Sequence, residues 1–178
     1  MTKSEQSYER LIQPIEDQMI RSVWRIVRQP DDAEDAFQDA LATIWTRLKR
    51  ISRHPNPHAL ILRICVDAAR DVLRRRLRRR RRETLTAAPD PAVDPAPSAL
   101  DQMGRRQVHT EVSQAIARLS RKQAAALLMR IVQEQPYLDI ARALGCSEST
   151  ARIHVSRARA RLRQLLPHMA PGTHSERK

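Results

Sequence analysis

One segment, residues 134–166, limits the fold of this chain more than any other part of its sequence. Gly145 divides it into a short half with an apolar stripe and a longer half rich in arginine. Pro136 suits the first turn of a helix, because its fixed φ and missing N–H are tolerated there. Gly145 can take the left-handed conformation that ends a helix, and Ser147 is a good N-cap for the next one. The pattern predicts a helix-turn-helix.

The second half of this segment predicts a helix with two different faces. At about 100° per residue, an apolar core face lies opposite an outer face that holds Ser149, Ile153 and Ser156. A narrow outer face with small side chains at its centre and cations at its edges suits the major groove of DNA. The alternative is a solvated surface, since some helix-turn-helix units do not bind DNA. The flanking cations are Arg152, Arg157, Arg161 and Arg163, and the core face comprises Ala151, Val155, Ala158, Leu162 and Leu165.

The overall charge of the chain indicates a polyanionic partner. Its 178 residues carry a net charge of +13, and nucleic acid, a membrane surface or an acidic protein would each match that charge. With three glycines, no strand-like alternation and abundant Ala, Leu, Arg and Gln, the chain is predicted to be all-α. No apolar run approaches the roughly 20 residues of a membrane span, so we expect a cytoplasmic protein.

Residues that could carry catalysis or hold a metal form no pattern in the sequence. Cys65 and Cys146 stand alone, without the paired spacing of a zinc site or a disulfide framework, and each is predicted to be a small buried residue. No serine and arginine grouping, carboxylate triad or metal-binding cluster stands out. We therefore predict a protein that is not an enzyme and that has no catalytic residue, metal or cofactor, which weighs against a recombinase or a nuclease.

The N-terminal part of the chain predicts two core helices, over residues 13–28 and 31–50. The first has an apolar stripe that includes Ile20 and Trp24. The second has five acidic residues and no basic one among its first nine. Acidic residues early in a helix stabilise it by roughly 0.3–1 kcal/mol each, through the helix dipole. Five are more than capping requires in so basic a chain, so we hypothesise a protein partner with a basic surface.

A proline-containing loop and a long basic helix follow. Two prolines within residues 51–57 exclude a continuous helix or strand there. The helix predicted for residues 58–82 ends with eight arginines in the nine positions 74–82. Because a guanidinium group binds phosphate through two hydrogen bonds, we expect this run to contact a nucleic-acid backbone. A solvated tail and a localisation signal are the alternatives.

A change of composition divides the chain into two basic parts. Residues 84–101 are rich in proline and aspartate and contain no basic residue, which predicts an extended, flexible linker. The net charge is +7 before this linker, −3 within it and +9 after it. We therefore predict a helical domain at residues 1–83, a second helical domain with the helix-turn-helix at residues 102–167, and a tail at residues 168–178.

Three segments in this order resemble the extracytoplasmic-function (ECF) group of bacterial sigma factors, the promoter-specificity subunits of RNA polymerase. The stretch DDAEDAFQDALATIW, at residues 31–45, is similar to the family's polymerase-docking helix, and ALILRICVDAARDVLRRR, at residues 59–76, is similar to the next helix. Residues 119–163 are similar to the C-terminal domain of the family nearly end to end. The resemblance implies a non-catalytic factor that binds the β′ and β subunits of core RNA polymerase and promoter DNA, both duplex and single-stranded. Whether an anti-sigma factor is a further partner stays open.

The resemblance also implies roles for individual residues. Asp35, Gln38 and Asp39 occupy the position where the family contacts a basic coiled coil of β′. Binding of the −10 promoter element is implied for the loop and the helix after it, at Arg53, His54, Asn56, Arg63, Arg70 and Arg74. Recognition of the −35 duplex is implied for Ser149, Thr150, Arg152, Ile153, His154, Ser156 and Arg157.

The loop at residues 51–57 contains no aromatic residue, and Leu60 and Leu62 stand where the family often has Trp and Tyr. Proteins usually hold single-stranded bases by aromatic stacking, which contributes about 1–3 kcal/mol per base. Two explanations remain. Either His54, Asn56 and backbone groups form the base pocket, or the promoter must open easily.

A polymerase-independent helix-turn-helix regulator is the alternative function. It explains residues 134–166 but leaves the acidic helix and the first domain without a role. Under either function, Ile153 bears on the choice of DNA sequence. An apolar side chain on the outer face of the recognition helix is costly unless it is covered, and a thymine methyl group would cover it.

Overall fold

The computed structural model describes residues 3–86 and 97–169, with side chains described for residues 6–82, 104 and 106–169. Within these ranges the chain is helical and contains no strand, which confirms the all-α class. No helix in the same ranges is long and apolar enough to cross a membrane. The helices are α1 (Lys3–Leu11), α2 (Glu16–Val27), α3 (Pro30–Thr46), α4 (Leu48–Ile51), α5 (Pro57–Thr86), α6 (Pro97–Ala117), α7 (Arg121–Ile131), α8 (Tyr137–Leu144) and α9 (Glu148–Leu165), with 3₁₀ turns at Gln13–Ile15 and Pro167–Met169.

Local signals set several helix boundaries. After α2 the chain passes through Arg28, which has a left-handed φ of 60°. Pro30 then occupies the first turn of α3, where its missing N–H breaks no hydrogen bond. Ser120 caps α7, because its hydroxyl oxygen accepts a hydrogen bond from the backbone N–H of Gln123 at 3.4 Å.

The single helix predicted over residues 31–50 is wrong, because the chain breaks at Arg47 between α3 and α4. In the turn before the break, the hydroxyl of Thr43 donates to the carbonyl oxygen of Asp39 at 2.9 Å. The hydroxyl of Thr46 donates in the same way to the carbonyl of Thr43 at 3.0 Å. Such side-chain bonds to the preceding turn weaken and bend a helix. The break directs Ile51 into the core, where it is 1% exposed.

The N-terminal helices differ from the sequence prediction in two respects. Helix α1 was not predicted, because its segment is polar. The Tyr8 hydroxyl near the end of α1 donates to a carboxylate oxygen of Glu16 at 2.7 Å. Ile12, which directly follows α1, is fully buried. The apolar stripe predicted for α2 is too wide. Ile20 is 36% exposed and Trp24 is 44% exposed, so neither is a core residue.

Helices extend into both ends of the predicted linker at residues 84–101. Helix α5 continues to Thr86, and α6 begins at Pro97, which again occupies the first position of a helix. The prediction of an extended chain is therefore wrong at residues 84–86 and 97–101. Residues 87–96, and the predicted tail from residue 170 onward, lie outside the described residues.

Helix α5 is the centre of the packing. It contacts α2 and α3 of the N-terminal part and also α6, α7 and α8 of the C-terminal part. Apolar side chains from both parts join one buried cluster, in which Leu62 and Leu127 are each 2% exposed. The two parts therefore lie directly against each other. We refer to residues 3–86 as the N-terminal lobe and to residues 97–169 as the C-terminal lobe.

Candidate nucleic-acid interface

The helix-turn-helix consists of α8, a turn at Gly145 and α9. Gly145 has φ 64° and ψ 47°, and its N–H donates to the carbonyl of Arg142 at 3.2 Å. The N–H of Cys146 donates to the carbonyl of Ala141 at 3.0 Å. These two bonds form a Schellman motif, which satisfies the last carbonyl groups of α8. The Ser147 side chain then accepts from the N–H of Thr150 at 3.2 Å and caps α9. The helix-turn-helix prediction is confirmed.

Helix α9 has the buried and outer faces that its sequence predicts. Ala151, Val155 and Ala158 are at most 1% exposed, whereas Leu162 and Leu165, which were predicted for the same core face, are only half-buried. Ile153 on the opposite side is 47% exposed. Among the residues for which the resemblance implies contact with the −35 duplex, five have exposed side chains: Ser149, Arg152, Ile153, Ser156 and Arg157.

The other two residues of that set, Thr150 and His154, are half-buried. The Thr150 hydroxyl lies 2.8 Å from that of Ser147, within the helix cap. The Nδ1 atom of His154 is buried without a hydrogen-bond partner. Burial lowers the pKa of this imidazole, and Lys122 and Arg157 lower it further. His154 is therefore held in its neutral form at the edge of the outer face.

Arg152 is held by contacts inside the helix-turn-helix. Its guanidinium donates to a carboxylate oxygen of Glu148 at 2.6 Å and lies 4.2 Å from the centre of the Tyr137 ring. A cation over an aromatic ring and a short charge-assisted hydrogen bond both restrict this side chain. Arg152 is thus oriented in advance at one edge of the outer face.

The loop between α4 and α5 uses its polar side chains internally. The side-chain oxygen of Asn56 accepts from the N–H of Ala59 at 3.0 Å, which caps α5. The Nδ1 atom of His54 accepts from the N–H of Asn56 at 3.1 Å. Two of the side-chain atoms of His54 and Asn56 that were predicted to hold a −10 base are therefore already bonded within the N-terminal part of the chain.

The remaining polar atoms of these two side chains bond to the C-terminal lobe. The Nδ2 group of Asn56 donates to Oδ1 of Asp139 at 2.7 Å, and Nε2 of His54 lies 3.2 Å from the carbonyl oxygen of Arg142. Asp139 and Arg142 both belong to α8. The first helix of the helix-turn-helix thus covers one side of the candidate −10 loop.

The same contact between lobes continues along α5. Arg63 donates to the carbonyl of Ala143 at 2.6 Å, and Arg70 donates to the carbonyl of Leu119 at 2.6 Å. Arg70 is only 3% exposed, and burial lowers the pKa of its guanidinium. We call this contact, from His54 and Asn56 through Arg63 and Arg70, the interlobe seam. The other two residues implied for the −10 element, Arg53 and Arg74, lie outside the interlobe seam and are exposed.

Sequence reasoning missed the residues on the other side of the seam. Arg121 of α7 donates to a carboxylate oxygen of Asp67 at 3.1 Å, and this bond raises the pKa of Arg121. Gln133, which is 6% exposed, donates to the carbonyl of Leu62 at 2.9 Å. One signal was available in the sequence: Asp67 is an acidic residue inside the apolar stripe of α5, and such a residue requires a partner.

The acidic cluster of α3 faces the start of the arginine run. Asp35, Gln38 and Asp39 are exposed, as polymerase contact would require. Asp39 pairs with Arg75 at 2.9 Å, and Asp32 pairs with Arg76 at 3.4 Å. Exposed pairs of this kind contribute about 0–1 kcal/mol, so a stronger partner can displace them. Two members of the run predicted to contact phosphate therefore have carboxylate partners in this structure.

Comparison with known proteins identifies both lobes. Residues 11–82 match the model of Sigma-70 region 2, and residues 109–162 match that of Sigma-70, region 4. A lobe that matches region 2, followed by a lobe with a helix-turn-helix that matches region 4, is the arrangement of sigma-70 transcription initiation factors. Within that class, the chain is similar to the ECF sigma factors.

Two curated relatives are named as RNA polymerase sigma factors. The chain is 29% identical over 150 residues to the ECF RNA polymerase sigma factor SigM of Mycobacterium tuberculosis, covering 84% of this chain and 72% of the relative. It is 28% identical over 160 residues to the RNA polymerase sigma-E factor of Streptomyces coelicolor, covering 89% of this chain and 85% of the relative. A solved structure, the sigma factor RpoE in complex with the anti-sigma factor NepR from Bartonella quintana, is 24% identical with a TM-score of 0.49, covering 92% of this chain and 98% of that one.

Proposed function

We propose that this protein is a promoter-specificity subunit of RNA polymerase, which directs transcription initiation by binding core polymerase and two unlike promoter elements. The observation that carries the proposal is the presence of sigma-70 regions 2 and 4 on one chain. The protein acts by recognition and positioning, as a transcription regulator rather than an enzyme.

Helix α9 reads the −35 element in duplex form. Its exposed Ser149, Ile153 and Ser156 are small or apolar groups suited to base edges and thymine methyl groups. Arg152 and Arg157 at the borders of this face supply positive charge for the phosphates on either side. The buried face of α9 packs on α7 and α8, so the whole C-terminal lobe orients the reading helix.

Helix α3 docks on core polymerase through Asp35, Gln38 and Asp39. Their side chains are exposed on one surface of the N-terminal lobe, and a basic coiled coil of the β′ subunit has the complementary charge. Docking requires Asp39 to exchange Arg75 for a cation of the polymerase. Because the Asp39 carboxylate is half exposed in its present ion pair, this exchange costs little.

Promoter binding requires the two lobes to separate. The positions that name the −35 and −10 elements are roughly 25 base pairs apart, which is about 85 Å at about 3.4 Å per base pair. The candidate −10 loop and α8 are instead joined by the 2.7 Å bond between Asn56 and Asp139. The interlobe seam also buries Arg70, which must be uncovered to reach DNA. The packed arrangement is therefore a closed form that opens on the polymerase and promoter.

Transcription in vitro with purified core polymerase over a promoter library tests the proposal. We expect initiation from promoters that share two unlike elements, with none when the protein or the core enzyme is omitted. A polymerase-independent regulator would give a different result: tight binding to one duplex site, palindromic if the regulator is a dimer, and no initiation. The alternative function has no specific structural observation in its favour, since it leaves the acidic α3 without a role.

A further inference from the structure

We infer that Trp45 is the stacking platform for an unstacked base of the opened −10 strand, an inference that rests on the proposed function. Trp45 lies in the last turn of α3 and is 40% exposed. An exposed aromatic ring beside cationic groups is the usual platform for an unstacked base. The loop that follows contains no aromatic residue of its own.

The surroundings of Trp45 suit a nucleotide. Trp45, Lys49 and Arg53 follow one another at intervals of four residues, and all three line one open cavity of about 570 Å³. That volume is within the range of roughly 300–1,000 Å³ typical of small-ligand sites. The indole ring offers a face for a base, and the two cations offer charge for the phosphates on either side of it. This combination of aromatic platform and cationic groove is how proteins hold single strands.

The charges at this cavity are available to a ligand. In the part of the chain that the structure describes, neither Lys49 nor Arg53 forms an ion pair with a carboxylate, whereas Arg75 and Arg76 of the arginine run do. An anionic ligand at Lys49 and Arg53 therefore displaces no internal ion pair. The remaining residues that line the cavity, Ser7, Thr46, Leu48 and Ser52, belong to the N-terminal lobe as well.

In the competing pocket, made of His54 and Asn56, two of the four polar side-chain atoms are bonded within the N-terminal lobe. The Asn56 oxygen caps α5 and the His54 Nδ1 atom accepts from the loop backbone, and neither bond involves the C-terminal lobe. Both bonds therefore persist when the lobes separate. Trp45 lies on a different surface of the loop region, which the C-terminal lobe does not line, so its cavity is accessible in the closed form too.

Intrinsic fluorescence tests the inference, because the chain has two tryptophans, Trp24 and Trp45, with similar exposure. The Trp24→Phe protein reports on Trp45 alone, and the Trp45→Phe protein reports on Trp24 alone. Titration with a single-stranded 12-mer DNA of −10 sequence, selected from the promoter library, is expected to quench the first protein strongly and the second weakly. Equal quenching of both, or none in the first, would overturn the inference.

A second variant separates this inference from the proposed function. Trp45→Ala is expected to lower single-strand affinity roughly 5- to 150-fold, the range for loss of one stacked base, whereas Trp45→Phe retains most of it. Duplex −35 binding and co-purification with core polymerase should not change, which also shows that the variant is folded. If Trp45→Ala instead weakens polymerase binding and leaves single-strand affinity intact, Trp45 is a protein contact and the stacking role is refuted. If wild-type protein binds neither polymerase nor promoter, the proposed function itself fails, whatever the fluorescence result.

Discussion

Asn56 of the candidate −10 loop donates a 2.7 Å hydrogen bond to Asp139 of the helix-turn-helix. The two residues are 83 positions apart in the chain and belong to elements that bind different parts of a promoter under the proposed function. The same Asn56 side chain caps α5 through its oxygen, so one amide group joins a helix start to the other lobe. Removing Asp139 breaks the contact between lobes and leaves the helix cap in place.

Asp139→Ala is therefore expected to favour the open form. A hydrogen bond to a charged group contributes about 1.5–3 kcal/mol when buried, and this bond is only partly buried. A loss of about 1 kcal/mol would raise the ratio of open to closed molecules roughly fivefold. Single-molecule FRET between dyes on the two lobes measures that ratio.

The matched control for Asp139→Ala is Asp17→Ala, which removes an exposed carboxylate paired with Arg21 at 3.9 Å in the same helix. It should leave the ratio of open to closed molecules unchanged. A closed population that is equally large in the Asp139→Ala protein and in wild type would mean that this bond does not hold the lobes together.

Reversal of two charges on α3, Asp35→Lys with Asp39→Lys, is expected to abolish binding to core polymerase. Under the proposed function the two carboxylates face a basic surface of the polymerase. Lysines in their place put like charges across the interface, which costs several kcal/mol. Co-purification with core enzyme measures the loss. Binding of the −35 duplex by α9 should persist.

Asp39 also pairs with Arg75, so an internal effect must be separated from docking. Adding Arg75→Glu to the reversed protein restores an ion pair of opposite polarity between α3 and α5. If the loss came only from the broken pair, this third change would restore polymerase binding. We expect no restoration, because the docking charge stays reversed.

Ile153→Ser is expected to reduce the preference for thymine in the −35 element roughly fourfold. That estimate corresponds to about 0.8 kcal/mol for the burial of one methyl group. Base preference is measured by selection from a randomised duplex library. Ile131→Ser, the same change at an exposed isoleucine at the end of α7, is the control and should keep the wild-type preference. An unchanged thymine preference in the Ile153→Ser protein would refute this contact.

The two cysteines are expected to react with iodoacetamide at very different rates. Cys65 is fully buried in α5, and burial raises the pKa of its thiol to about 12. Since the thiolate is the reactive form, Cys65 should stay unmodified at pH 8 in the folded protein and react only after unfolding. Cys146, which is half-buried at the turn of the helix-turn-helix, should react first. Mass spectrometry with and without denaturant checks the order, and early modification of Cys65 would show that α5 opens readily.

Several features of the fold follow from interactions between residues close together in the chain. The turn at Gly145 and the caps by Ser120 and Ser147 involve partners no more than five residues away, so composition and spacing are enough to predict them. The buried face of α9 likewise follows from helical periodicity. The break at Arg47 was missed for a different reason: the hydroxyl bonds of Thr43 and Thr46 to the preceding turn are local, but they end the helix only because the core accepts Ile51.

The sequence by itself determined the helical class, the helix-turn-helix, the acidic start of α3 and the resemblance to sigma factors, because each depends on residue types at short or regular spacing. Only the tertiary structure decided what the candidate DNA-binding residues contact. Arg70 and Asn56 bond to atoms 49 and 83 positions away, and such bonds depend on how the lobes pack rather than on neighbouring residues. The cavity at Trp45, Lys49 and Arg53 also depends on tertiary packing, because its lining includes Ser7 of α1. The physical reason is that hydrogen bonds and cavities between distant segments exist only once apolar burial along α5 has brought those segments together.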